Sequence, residues 1–154
     1  MSIAKTVVDC LQRDRISYDV LAHPRTVSPR EAAQTMHISA DCVAKAVVLT
    51  DSRGYVMAVV PANRYVSVKA LCRKLRRKLS LAREEGLIPV FRDCERGAIP
   101  PLGPAYGIQT VVDDSLVGQP EVYFEAGDHE ELIRVSGDQF VALLREARYG
   151  HFSH

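Results

Sequence analysis

The sequence lacks an excess of charge of either sign. Its 20 lysines and arginines nearly balance 19 aspartates and glutamates, which leaves a formal net charge of +1 at pH 7. Such a surface does not attract polyanions as a whole, so any contact with nucleic acid must come from a local basic patch. The near-neutral charge, together with the lack of a helix-turn-helix pattern, argues against a DNA-binding protein.

Long apolar runs are also missing. No stretch approaches the roughly 18 apolar residues that a membrane-spanning helix needs, and residues 1–15 carry charges throughout. We therefore expect a soluble, cytoplasmic protein without membrane contact.

The cysteines and glycines lack the spacing of a cofactor site. Cys10, Cys42, Cys72 and Cys94 are scattered, without a CxxC motif or a nearby paired histidine, so they predict neither a zinc site nor a redox motif. We expect reduced thiols in the core. No glycine-rich phosphate loop follows a predicted strand, and no nucleotide or metal cofactor is predicted.

The patterns that are present fit one domain over residues 1–154, in which 47% of the residues are hydrophobic. Periodicity and capping signals predict helices over 3–14, 29–36 and 137–147, a helix that Ser67 caps and whose apolar stripe reaches Leu79, and short helical segments at 39–44 and 81–86. Alternation and turn signals predict strands over 16–21, 45–50, 55–61, 87–91, 108–112, 121–125 and 132–135. This mixture of hairpins and helices favours an α+β domain with a mixed, largely antiparallel sheet flanked by helices.

Lys45 stands at the head of the apolar run at 45–49. A lysine at a strand end usually extends its ammonium group into water. The alternative is a cation that faces a cleft and binds a substrate phosphate or carbonyl group. The residues by themselves leave both interpretations open.

The segment 97–104 is predicted to be a loop of fixed shape, because three prolines and two glycines occupy its eight positions. It is either a tight surface connection or a rigid wall that offers backbone N–H groups to a ligand. In the second case the amides would stabilise the oxyanion formed when water attacks an ester. The polar turn at 127–129 has similar alternatives, an exposed turn or the mouth of a pocket.

Three motifs together carry a resemblance to a known family. They are V-A-K-A-V-V-L at 43–49, the GxxxP loop G-A-I-P-P at 97–101 followed by L-G, and Y-F-E-A-G-D-H-E-E-L-I at 123–133. In their order and spacing the chain resembles the YbaK and prolyl-tRNA synthetase-associated editing domains over roughly residues 3–144. The resemblance implies that family's fold, with a curved sheet.

The same resemblance implies a freestanding deacylase that hydrolyses mischarged tRNA, commonly tRNA for proline carrying alanine or cysteine. Lys45 is then the key lysine of the site. The implied pocket wall is Gly97, Ala98, Ile99, Pro100 and Pro101, and the implied further pocket element is Gly127, Asp128 and His129. Family members often have threonine where this chain has Ala46 and serine where it has Asp128, and both departures bear on amino-acid specificity more than on the reaction class.

The implied chemistry needs positioning and charge stabilisation more than a strong nucleophile, because an aminoacyl ester is already activated. We expect Lys45 to hold the terminal adenosine phosphate or to polarise the ester, while water attacks. Four residues of a basic run, Arg73, Lys74, Arg76 and Arg77, are expected to face outward or flank the apolar stripe; they form either a solvated helix face or a patch for the tRNA acceptor stem. A synthetase or elongation factor is a possible partner. The rival function is a non-catalytic module that senses an amino acid or aminoacyl-tRNA.

Overall fold

The computed structural model describes residues 2–154 as eight strands and five α-helices. The strands are β1 (Asp19–Ala22), β2 (Val43–Asp51), β3 (Gly54–Pro61), β4 (Ser80–Leu81), β5 (Gln109–Asp113), β6 (Glu121–Glu125), β7 (Glu131–Ser136) and β8 (Arg148–Gly150). The helices are α1 (Lys5–Arg13), α2 (Pro29–Thr35), α3 (Val68–Leu75), α4 (Glu84–Leu87) and α5 (Gly137–Leu143). No helix in this part of the chain is long and apolar enough to cross a membrane.

All the strands join one mixed sheet in the order β1-β7-β6-β2-β3-β5-β8, and β4 pairs with β2 outside that order. The pairings β1–β7, β6–β7, β2–β3 and β2–β4 are antiparallel, and the pairings β2–β6, β3–β5 and β5–β8 are parallel. The prediction of an α+β fold with a mixed, largely antiparallel sheet is therefore confirmed.

The β2–β3 hairpin forms the centre of the sheet. Its register runs without interruption from Ala44 opposite Pro61 to Asp51 opposite Gly54. Residues 56–61 are all buried, because β3 has neighbours on both edges and apolar clusters on both faces. The hairpin that the two apolar runs predicted is confirmed.

Serine caps fix the starts of three helices. The hydroxyl of Ser28 accepts from the N–H of Glu31 at 3.2 Å, and Ser67 and Ser136 accept in the same way from Ala70 and Gln139. At the first of these helices the Glu31 carboxylate also accepts from the N–H of Val27, the residue before the cap. The helix starts predicted from serine positions are confirmed.

Some predicted ends and strands differ from the structure. α3 ends at Leu75, because Arg76 takes the left-handed conformation with φ 54°, so Leu79 is buried outside the helix. Instead of the predicted strand at 87–91, Leu87 ends α4 and residues 88–91 form turns and a bend. α5 ends at Leu143, four residues before the predicted end of that helix, and β8 begins at Arg148, where no strand was predicted.

Candidate functional site

A cavity of about 270 Å³ lies beside the middle of β2. The pairing of β2 with β6 ends at Ala44, and its pairing with β4 begins at Leu49. Since β3 occupies the other edge of β2, residues 45–48 have no strand partner on the side where β6 and β4 lie, among the residues that the structure describes. Ala46, Val47 and Val48 line the cavity along this gap.

The segment from β4 to the GxxxP loop builds the rest of the cavity. Its lining residues are mostly apolar: Leu81, Ala82, Glu84, Leu87, Ile88, Phe91, Cys94, Glu95, Arg96, Gly97 and Ile99. Burial raises the pKa of the Cys94 thiol to about 12, so this sulfur is not a thiolate at neutral pH. Within residues 2–154 no group of three or more His, Cys, Asp or Glu side chains is arranged to hold a metal ion.

The GxxxP loop and the turn at 127–129 are bonded to each other. The N–H of Glu95 donates to the carbonyl of Gly127 at 2.7 Å, and the N–H of Gly127 donates to the carbonyl of Ala98 at 3.0 Å. The Nε2 atom of His129 lies 2.6 Å from the carbonyl oxygen of Arg96. The two elements that the resemblance assigns to the pocket therefore form one unit.

Only part of that unit faces the cavity. Gly97 and Ile99 line it, whereas Ala98, Pro100 and Pro101 are buried behind it. Gly97 has φ 78°, and a Cβ atom there would lie 3.5 Å from the imidazole of His129.

The turn at 127–129 is buried and does not line the cavity. Asp128 and His129 are 1% and 6% exposed, so the alternative of an exposed surface turn is wrong. Gly127 has φ 109°, and a Cβ atom at this position would lie 2.8 Å from the Cβ of Ala4. Asp128 accepts from the N–H of Glu130 through Oδ1, which closes the turn. These residues support the loop from behind.

Lys45 lies outside the cavity. Alternation along β2 places its side chain on the face opposite Ala46, where its ammonium group donates to the carbonyl of Ala62 at 3.3 Å and lies 5.3 Å from the ring centre of Tyr65. Burial and the nearby Arg30 guanidinium lower the pKa of Lys45. The ammonium is therefore half-buried beside an exposed aromatic ring and is not aimed at the cavity.

The basic run after Ser67 divides into exposed and buried members. Arg73 and Arg76 are exposed and Lys74 is half-buried. Arg77 is buried, and its guanidinium forms two hydrogen bonds of 2.7 and 2.6 Å to the carboxylate of Asp51. The expectation that Arg77 faces outward or flanks the stripe is corrected, because the left-handed turn at Arg76 directs the chain back toward the β2–β3 hairpin.

The sequence profile of the aminoacyl-tRNA editing domain matches residues 23–143. The chain belongs to this family. No curated protein sequence matches it significantly.

Solved structures with the same fold include the three that follow. The hypothetical protein APE2540 superposes with a TM-score of 0.85 at 21% identity, covering 97% of this chain and 100% of that one. A candidate trans-editing enzyme for prolyl-tRNA synthetase superposes with a TM-score of 0.82 at 21% identity, covering 99% of both chains. A candidate signal transduction protein from Marinobacter aquaeolei VT8 gives a TM-score of 0.79 at 21% identity, with 99% of this chain matching 31% of a longer one.

The editing domain also contains a buried carboxylate that sequence analysis missed. Glu125 is the last residue of β6, is 1% exposed, and places Oε2 3.5 Å from Nδ1 of His129. Burial raises the pKa of Glu125 to about 7, while the facing His129 lowers it. The available signal was an acidic residue inside the apolar run at 122–126, four positions before a histidine.

Proposed function

We propose that this editing domain is a trans-editing aminoacyl-tRNA deacylase, which hydrolyses the ester of a mischarged tRNA that carries a small amino acid. The observation that carries the proposal is the cavity in the gap beside β2. Its volume of about 270 Å³ is near the lower end for ligand sites, which suits one small aminoacyl group. We favour tRNA for proline carrying alanine or cysteine, in keeping with the fold shared with the candidate trans-editing enzyme.

Backbone groups of β2 are placed to orient the aminoacyl group. The carbonyl of Val48 accepts from the N–H of Ala82 across the gap. In an antiparallel pair the N–H and C=O groups alternate in direction, so those of Ala46 point to the same side as those of Val48. We assign the Ala46 groups to binding the substrate, with the small side chain of Ala46 as part of the cavity wall.

Water is the nucleophile in this mechanism. The Cys94 thiol stays protonated at neutral pH, and an aminoacyl ester needs no covalent enzyme intermediate. Amides of the GxxxP loop stabilise the oxyanion of the tetrahedral intermediate, and a ribose hydroxyl of the terminal adenosine assists the attacking water. The proton ends on the departing ribose oxygen, which releases the amino acid and the tRNA.

Lys45 is assigned to the terminal phosphate and not to the ester. Its ammonium lies on the face of β2 opposite the cavity wall and next to the exposed ring of Tyr65. This position supports a role in binding the acceptor end of the tRNA.

Lys45→Ala is expected to abolish most deacylation of tRNA substrates, while Lys45→Met keeps the side-chain packing and loses only the charge. Both variants are compared by kcat/KM and thermal unfolding, and unchanged turnover in the folded variants would remove Lys45 from the mechanism.

The rival function is a non-catalytic sensor of an amino acid or aminoacyl-tRNA. The specific observation in its favour is that Ala46, which replaces the threonine frequent in the family, lies in the cavity. A panel of mischarged tRNAs incubated with the purified protein separates the two functions. A deacylase releases amino acid from at least one tRNA, whereas a sensor binds without release. Recognition of tRNA through a synthetase or elongation factor is tested by adding either protein to the same assay.

A further inference from the structure

Buried polar atoms without a hydrogen-bond partner are concentrated behind the GxxxP loop. Seven such side-chain atoms are found in residues 2–154: Nε2 of His23, Oγ1 of Thr26, Oε2 of Glu95, Oε1 and Oε2 of Glu125, Oδ2 of Asp128 and Nδ1 of His129. Folded proteins satisfy most buried polar groups, so such a concentration marks a region whose polarity serves another purpose.

Backbone bonds tie these residues into one region. The N–H groups of His23 and Thr26 donate to the carbonyls of Glu130 and His129, at 2.9 and 3.1 Å. The bond from Glu95 to Gly127 adds the segment before the GxxxP loop. The end of β6, the turn after it and the two flanking segments therefore share one buried polar environment.

The contacts of the His129 ring define where its hydrogens are. A carbonyl oxygen can only accept, so Nε2, which lies 2.6 Å from the Arg96 carbonyl, must carry a hydrogen. In the neutral ring Nδ1 then has a bare lone pair, and it faces the Glu125 carboxyl at 3.5 Å. Two lone pairs cannot face each other favourably in a buried site, so one further proton belongs between them, on either Nδ1 or Oε2.

We propose that Glu125 is a positioning residue, whose proton shared with His129 keeps the imidazole on the Arg96 carbonyl and thereby holds Gly97 in the cavity wall. The imidazole links the two, because it contacts Arg96 through Nε2 and lies 3.5 Å from the place of a Gly97 Cβ. The expected effect of Glu125 on catalysis rests on the proposed function, whereas its expected effect on His129 does not.

The charges around the pair favour retention of this proton below neutral pH. Besides burial, the carboxylates of Asp128 in the same turn and Glu95 in the facing segment raise the pKa of Glu125, and His129 lowers it. Glu95 is partly neutralised by Arg25 at 2.6 Å, and His23 lies on the segment bonded to Glu130.

A pKa that folding raises from 4.5 to about 7 has a defined effect on stability. The stability that the protonated Glu125 carboxyl contributes is fully present below about pH 4.5 and is lost as the pH rises through about 7. The same titration should reduce deacylation, after subtraction of spontaneous ester hydrolysis, by about tenfold between about pH 6 and pH 8, if only the protonated pair supports the loop.

The decisive variant is Glu125→Gln, because a glutamine amide can donate to Nδ1 at every pH and so imitates the protonated carboxyl. We expect its kcat/KM to be nearly flat over this range and to exceed the wild-type value at pH 8. Glu125→Ala should lose activity at all pH values. Glu121→Gln is the matched control, since Glu121 is exposed at the start of the same strand, and it should keep the wild-type pH profile.

Two readouts need no substrate. Nitrogen NMR of His129 should show a hydrogen on Nε2 throughout and a change at Nδ1 near neutral pH in the wild type, which Glu125→Gln removes. The melting temperature of the wild type should fall as the pH rises from about 4.5 to about 7, and that of Glu125→Gln should fall less. A Glu125→Gln protein with wild-type pH profiles in NMR and melting would overturn the proposal. If no tRNA is hydrolysed, the proposed function fails, while these two measurements still decide the role of Glu125.

Discussion

Two buried acid–base pairs of this domain differ in how well their polar atoms are satisfied. In Asp51–Arg77 the guanidinium makes two short bonds to the carboxylate and further bonds to Gln109 and the Gly54 carbonyl. In Glu125–His129 the facing atoms are 3.5 Å apart, and neither Glu125 oxygen has a hydrogen-bond partner in the described residues. Both pairs are almost completely shielded from water.

The difference fits a structural role for the first pair and the positioning role that we propose for the second. Arg77 lowers the pKa of Asp51, so this pair stays ionised over the whole physiological range. Burial raises the pKa of Glu125 to about 7 instead, so this carboxyl titrates near neutral pH. Geometry and the direction of the pKa shift thus agree in both pairs, and each can be tested by breaking it.

Breaking the satisfied pair should have the largest effect on stability. Asp51→Ala leaves the Arg77 guanidinium buried without its carboxylate, and we expect the melting temperature to fall by roughly 10 °C. Asp9→Ala, which removes the exposed pair with Lys5, is the control and should change the melting temperature very little. Equal small losses in both variants, measured by circular dichroism, would show that burial of the Arg77 pair adds nothing.

A substitution next to the Glu125–His129 pair should lower stability less than Asp51→Ala does, and it should lower the deacylation activity more. Gly97→Ala introduces a Cβ atom at φ 78°, which should cost about 1 kcal/mol. Since the new atom enters the cavity wall beside His129, we expect deacylation to fall as well.

Gly118→Ala separates the two effects of that change. Gly118 has φ 88° with nothing within 4 Å of a Cβ atom, and it does not line the cavity. Urea unfolding should give similar losses of stability for both variants, whereas only Gly97→Ala should lose kcat/KM. Full activity of Gly97→Ala would exclude the loop from the catalytic wall.

The sequence predicts features of this molecule that depend on neighbouring residues. Ser28 and Ser136 mark helix starts because a cap is satisfied within three residues, and the β2–β3 hairpin follows from two apolar runs around a short turn. The early end of α3 was not predictable in this way, because arginine rarely adopts the left-handed conformation found at Arg76.

The site needs longer-range information. The apolar run at 87–91 has the composition of a strand, yet it forms the end of α4 and the turns after it, and Leu87, Ile88 and Phe91 line the cavity. The gap beside β2 depends on where β6 stops and β4 starts, and the burial of Glu125 depends on the packing of segments far away in the chain. Family motifs indicate Gly97 and His129, but not which of them faces the cavity.

The smallest effect on stability is expected for the exposed arginines of the basic run, which take no part in the Asp51–Arg77 pair. Arg73→Gln with Arg76→Asn removes two exposed charges, and asparagine tolerates the left-handed conformation of Arg76. If these arginines contact tRNA phosphates, binding should weaken and its salt dependence should decrease by roughly one unit per lost contact. The free energy of unfolding should change by less than about 0.5 kcal/mol.

A minimal substrate decides what such a loss means. An aminoacyl-adenosine ester reaches the cavity without the acceptor stem, so its hydrolysis should be unchanged in the double variant. Arg13→Gln, an exposed arginine at the end of α1, is the control for a general loss of positive charge and should leave the salt slope as in the wild type. Equal losses on tRNA and on the minimal ester would point to damage of the cavity. Unchanged binding of tRNA would identify the exposed arginines as a solvated face and assign recognition to the Lys45 and Tyr65 side or to a partner protein.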